Sequence, residues 1–121
     1  MPDNLMGEYE VVTDTRTEEA SLRLLRISPG KEVRPHYHRK GTQVYIVLSG
    51  KVSIRLGEGV LHAEPLDKVE VPPMTVHGLS ARAPSLVLSI AVPPLSLGDQ
   101  ITTNVRRSRQ DKDSEPGYGG E

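Results

Sequence analysis

The chain is predicted to fold as an all-β barrel or sandwich. Three observations carry that expectation. Short apolar runs of strand length recur along the sequence and are separated by turn signals. Eleven glycines and ten prolines among 121 residues favour many turns over long helices. No segment sustains a 3.6-residue apolar period, and no internal repeat is evident.

Taken in order, Met1 to Gly7 reads as a loose leader, and Tyr9 to Thr13 as an edge strand followed by a polar turn from Asp14 to Glu19. Ser21-Leu-Arg-Leu-Leu-Arg-Ile27 has leucines that suit a short helix, but Pro29-Gly30 ends it abruptly, so it is assigned as a strand. Glu32 to His38 follows, then Gln43 to Leu48, with a tight hairpin at Ser49-Gly50-Lys51. Val52 to Leu56 alternates apolar and polar residues, as a half-buried strand does. Val60 to Glu64, Lys68 to Val71, Val76 to Leu79 and the long apolar Ser85 to Val92 complete the set. Residues 1–19 are thus a leader with an edge strand and 20–97 a barrel. Residues 98–121 are a polar tail expected to be disordered, in which Ile101 and Val105 are the residues able to dock.

Composition narrows the function. Hydrophobic residues make up 36% and aromatics 3%, every one a tyrosine, so the core must be aliphatic. A net charge of −1 exerts no long-range pull on nucleic acid or anionic membranes, and the tail arginines are offset by acids. Without cysteine there is no disulfide framework, zinc-thiolate site or cysteine nucleophile. The N-terminus lacks the apolar stretch of a signal peptide, and Leu86 to Leu97 is interrupted by Pro93-Pro94 and too short to span a bilayer. A cytoplasmic protein is the expectation. Neither a phosphate-binding Gly-x-x-x-x-Gly-Lys loop nor a Gly-x-Ser-x-Gly elbow is present.

What remains is a cluster of histidines. His36 and His38 stand one residue apart on a strand, so both imidazoles face the same side. Gln43 opens the next strand across the short Arg39-Lys40-Gly41-Thr42 loop, and His77 arrives from a distant strand behind Pro72-Pro73. Imidazole suits Zn, Cu, Fe and Ni, and an amide carbonyl adds a neutral oxygen ligand. The candidate metal ligands are therefore His36, His38, Gln43 and His77. Tyr45 shares the inward face with Gln43 and is the candidate for acid or base; Tyr37 should point away. Arg23, Arg26 and Arg55 are expected on solvated outer faces, although an inward arginine there would bind a carboxylate bidentately. His62 is expected at the surface, and Arg34, Arg39 and Lys40 as solvated loop charges.

Gly30, His36, His38, Gln43 and Gly50 resemble the first motif of the cupin superfamily, and Leu66-Asp67…Pro72-Pro-Met-Thr-Val-His77 is similar to the second. The resemblance covers about residues 20 to 95. It implies a small jelly-roll β-barrel with one divalent transition metal ion inside (Fe, Mn, Ni, Co, Zn or Cu), often in a homodimer. Four positions depart from the pattern: Gln43 replaces a glutamate, Leu66 and Met74 replace glycines, and Ala81 replaces an asparagine. The glycine replacements are expected to be matters of packing. The glutamine is chemical, because a neutral ligand leaves the ion its full charge, favours an anionic substrate and removes a carboxylate that could act as base.

The resemblance implies a metal-dependent enzyme acting on a small oxygen-bearing substrate, anionic or enolic. Dioxygenase chemistry leads because no carboxylate base is evident, with lyase, isomerase or cyclase chemistry and a non-catalytic small-molecule-binding module as alternatives. The ligand set also resembles the uronate-linearising cupins of pectin degradation. Those use an acidic residue on the late strand, however, and Ser85 to Val92 has none.

Overall fold

The computed structural model describes residues 7–103. Ten strands form in chain order: β1 (Glu10–Arg16), β2 (Ser21–Ile27), β3 (Glu32–Tyr37), β4 (Thr42–Ser49), β5 (Val52–Leu56), β6 (Gly59–Ala63), β7 (Lys68–Val71), β8 (His77–Ala81), β9 (Ser85–Val92) and β10 (Ile101–Thr102). A 3₁₀ turn, Leu97–Asp99, precedes β10. The strands build two antiparallel five-stranded sheets, ordered β1-β2-β9-β4-β7 and β10-β3-β8-β5-β6, the two walls of a jelly roll.

Alternation along each strand decides what lies between the walls. Gln43, Tyr45 and Val47 of β4 are buried in phase, as are Ser85, Val87, Ser89 and Ala91 of β9. The core is aliphatic as expected, formed by residues such as Ile27, Val47, Val52, Ile54 and Val87, with Tyr45 the one fully buried tyrosine among the described residues. The leucine-rich Ser21–Ile27 is a strand because its odd positions must match the pleat of β9, with which it pairs over its full length. β1 runs to Arg16, further than the turn assigned from Asp14, since pairing with β2 supplies hydrogen-bond partners that the polar sequence does not advertise.

β3 breaks the two-residue period in a useful place. A register shift between Val33 and His36 lets both residues, three positions apart, face the interior. Gly78 on β8 opposes that bulge, and a Cβ there would lie 2.9 Å from the Val33 carbonyl oxygen. The glycine next to His77 is thus required for the two histidine-bearing strands to approach.

Two expectations need correction. Leu66 and Met74 adopt φ of 76° and 69°, so the lost glycines are matters of backbone conformation and not of packing. Arg23 lies in the inward phase of β2 with Ser21, Leu25 and Ile27, whereas Arg26 is exposed and pairs with Glu10 at 2.8 Å. Beyond residue 97, Ile101 docks on the barrel, as the sequence allowed. The Leu97–Asp99 turn and β10 pack back on β3, with Ile101 opposite Tyr37 and Thr102 opposite His36. Val105 and the rest of the tail lie outside the described residues.

Candidate metal centre

Two paired strands deliver the histidines to one point. His36 comes from the end of β3, His38 from the residue after it and His77 from the start of β8, and all three are buried. Each offers a ring nitrogen, and these atoms lie within 4.8 Å of one another. One ion could be shared by all three after a small contraction, since metal–nitrogen bonds are about 2.0–2.1 Å. His36 and His77 pack with ring centroids 4.2 Å apart.

The other nitrogen of each ring is already committed. Nδ1–H donates to the Arg34 carbonyl from His36 at 2.7 Å, to the Thr75 carbonyl from His77 at 2.8 Å, and to the Asp99 carbonyl from His38 at 2.7 Å. A carbonyl only accepts, so in a neutral ring the proton sits on Nδ1 and the Nε2 lone pair is free. Burial depresses His36 to about 4, aided by repulsion from His38 and opposed by its bond to Arg34. Burial lowers His77 to about 3, with repulsion from His36 adding to it. Both rings are therefore neutral near pH 7, with a lone pair available to a metal ion.

Gln43 completes the cage from β4. Its Oε1 lies 2.8 Å from His38 Nε2 and 2.9 Å from His77 Nε2, while its Nε2–H donates to Ser89 Oγ at 2.7 Å. With the ring protons on Nδ1, those two short contacts set lone pairs against a lone pair. A cation among them removes the conflict, and this donor set fits a divalent transition metal. Turned over, the amide would donate to both rings and accept from Ser89, whose hydroxyl serves either orientation.

Tyr45 sits beside the cage, its ring centroid 5.9 Å from that of His77. Burial pushes its phenol well above the usual range; Tyr9 adds to the effect and Arg23 opposes it. Tyr45 is thus a proton donor at neutral pH and not a base. Tyr37 is half-buried on the opposite phase of β3, as expected. His62 is exposed and meets Ser53 Oγ at 3.1 Å. Arg55 lies on the outer phase of β5, its Nε–H donating to the Gly57 carbonyl.

Sequence reasoning missed two supports. Ser89 orients the Gln43 amide, and the only available signal was its inward phase on an apolar strand. Asp99 was assigned to the tail, yet its carboxylate accepts from the backbone N–H groups of Arg39, Lys40 and Gly41 at 2.7–3.2 Å while its carbonyl holds His38. Desolvation raises the Asp99 carboxyl, but these donors outweigh it and hold the group below its usual range. No sequence pattern links position 99 to position 38, because the contact depends on the chain returning across the mouth of β3.

The Cupin domain family model matches residues 23–91, more than half of the chain. Among solved structures, TT1209 from Thermus thermophilus aligns with a TM-score of 0.66 at 24% identity, over 77% of this chain and 89% of that one. A conserved Klebsiella pneumoniae protein with a double-stranded β-helix domain aligns with a TM-score of 0.62 at 28% identity, over 77% and 82%. KdgF from Halomonas sp. aligns with a TM-score of 0.66 at 23% identity, over 71% and 86%. No curated protein matches the chain. With its two-walled jelly roll, its buried histidine triad and this match, the chain belongs to the cupin family.

Proposed function

We propose that this cupin is a metal-dependent enzyme acting on a small organic anion that presents an enol, enolate or related oxygen to the ion, with dioxygenase-type chemistry favoured. The observation that carries this reading is a buried donor set made only of neutral groups: His36, His38, His77 and Gln43. A divalent transition metal held there supplies Lewis-acid polarisation of a coordinated oxygen and, when redox-active, activation of dioxygen. Four neutral ligands leave its charge uncompensated, which favours a substrate that brings the negative charge.

The chain's own residues bind, orient and hold protons. The three backbone carbonyls keep each imidazole in the ligating tautomer, Ser89 aims the amide, and the aliphatic core behind them excludes water. Among the described residues no Asp or Glu is buried, so the interior offers no carboxylate base. The protonated Tyr45 beside His77 favours a second reading, a non-redox isomerase or lyase in which the phenol donates a proton to a developing enolate.

Elemental analysis of the purified protein, with His36→Ala and His77→Ala as controls, tests the site. Stoichiometric metal in the wild type and its loss in both variants are expected; a wild type that takes up no metal under any loading refutes the proposal. Oxygen uptake by the Fe(II)-loaded protein with enols, diketones and thiols separates the two chemistries. Ligand-induced thermal shifts without oxygen uptake or substrate conversion would leave a binding module.

The partner expected alongside the substrate is a second copy of the chain. On the outer face of the first sheet, Leu22, Ile90 and Val44 align across β2, β9 and β4, as do Leu24, Leu88 and Ile46. This half-buried aliphatic face supports homodimerisation. Sedimentation of the wild type and of Leu88→Lys tests it: a dimer that the charge dissociates is expected, and a wild-type monomer rejects it.

A further inference from the structure

Arg23 is an anomaly in the barrel wall. It shares the inward phase of β2 with Ser21, Leu25 and Ile27, and its Nε is buried without a hydrogen-bond partner among the described residues. Its cross-strand neighbour on β1, Asp14, is exposed and makes no ion pair with it. The residue as a whole is half-buried, but a buried N–H donor such as this Nε is ordinarily paired, because leaving it unsatisfied is costly. This donor group is therefore built for a partner that is not part of the described chain.

Its position says what kind of partner. Residues directly opposite one another in an antiparallel sheet share a face. Arg23 opposes Ser89, and Ser89 opposes Tyr45, so these three form one row across the interior of the first sheet. The adjacent row is Ser21, Ala91, Gln43 and Val71, which brings in the amide of the cage. Ser89 joins the rows by accepting from Gln43 at 2.7 Å. Arg23 and Tyr9 both act electrostatically on the Tyr45 phenol, which itself lies beside His77. β2 and β4 are separated by β9, roughly 10 Å between strand axes.

Resting on the metal-centre reading above, we propose that Arg23 anchors a carboxylate of the substrate, so that the substrate is a small carboxylic acid with its reactive oxygen several bonds from that group. The guanidinium fork matches a carboxylate bidentately, and Tyr45 can donate to the same molecule between anchor and ion. Arg23 then sets specificity and position, separately from the histidine cage.

Two probes differing only in charge test this: 2,4-dioxopentanoate and its methyl ester, titrated calorimetrically into wild type, Arg23→Met and Arg23→Lys after loading with Mn(II). The wild type should bind the acid about ten- to a hundredfold more tightly than the ester, as expected for a charge-assisted pair. Arg23→Met should bring the two probes near parity while leaving metal stoichiometry and ester affinity unchanged, and Arg23→Lys should keep part of the preference. Arg23→Met should also melt no lower than the wild type, because it removes an unsatisfied buried donor, whereas a structural arginine would leave the variant less stable. Equal binding of both probes by the wild type, or a preference that survives Arg23→Met, overturns the assignment. If the wild type takes up no metal, the metal-centre reading fails by itself. The anchor is then read from thermal shifts of the metal-free protein, where an acid-induced shift lost in Arg23→Met supports it and no shift overturns it.

Discussion

Leu66 and Met74 occupy turns with φ of 76° and 69°, and replacing either by glycine should stabilise the protein. A side chain in the left-handed region costs about 1–2 kcal/mol, because Cβ crowds the following carbonyl oxygen. Glycine removes that clash but gives back roughly 0.5–1 kcal/mol through the greater freedom of the unfolded chain. Little apolar burial is lost, since Leu66 is 82% and Met74 62% exposed. The net gain is about 0.5–1 kcal/mol for each substitution. The residues lie in separate turns, before β7 and before β8, so the double variant should gain about 1–2 kcal/mol. For a domain of this size that is a rise in Tm of roughly 3–8 °C. Urea unfolding at fixed pH, with an unchanged m value, measures it. Leu66→Ala is the control: it keeps Cβ and the left-handed backbone and should change stability by under about 0.5 kcal/mol. A double glycine variant less stable than the wild type, or an alanine control as stabilising as glycine, would refute the conformational argument.

Other perturbations probe the site and its supports. The metal-free protein should be acid-labile: the unfolded chain protonates its histidines near 6.5, whereas burial holds His36 to about 4 and His77 to about 3. Between those values the unfolded state binds more protons, so stability is lost as the pH is lowered, with a slope approaching about 2.7 kcal/mol per unit for two groups. Urea midpoints from pH 7 to 4.5 should show this, and His77→Asn should roughly halve the slope; a flat profile would contradict neutral burial. Asp99→Ala leaves three backbone donors without their carboxylate and loosens the turn that holds His38. It should cost about 1–3 kcal/mol and weaken metal binding about tenfold or more, read by competition with a chelator. Gly78→Ala must push Cβ against the Val33 carbonyl at 2.9 Å. It should destabilise by about 1–3 kcal/mol, and a neutral result in urea would show that the β3 bulge yields more easily than its geometry implies.

Most of the fold was legible because the side-chain period of a strand is two and its ends are marked by glycine and proline. Ser21–Ile27, Val52–Leu56, Lys68–Val71 and Ser85–Val92 match their predicted bounds. The convergence of the histidines and Gln43 was legible for a related reason: these residue types are few in the chain, and a strand leaves inward-facing ones few places to point. The misses share another cause. Arg23 was assigned outward because a charged side chain usually seeks water, and only pairing with β9 shows that its position faces inward. Asp99 looked like tail because its partners lie about sixty residues away in sequence.

By itself, the sequence determined a turn-rich antiparallel barrel, an aliphatic core and four candidate ligands of neutral charge, since these follow from local periodicity and residue chemistry. Tertiary structure alone decided which nitrogen each imidazole offers, because backbone carbonyls from three separate segments take the other one. It decided that Leu66 and Met74 are strained, because φ at a turn is imposed by the strands on either side. It also decided that Arg23 lies in the inward phase of β2 with its Nε unpartnered among the described residues, because the face a residue presents depends on which strands flank it and in what register.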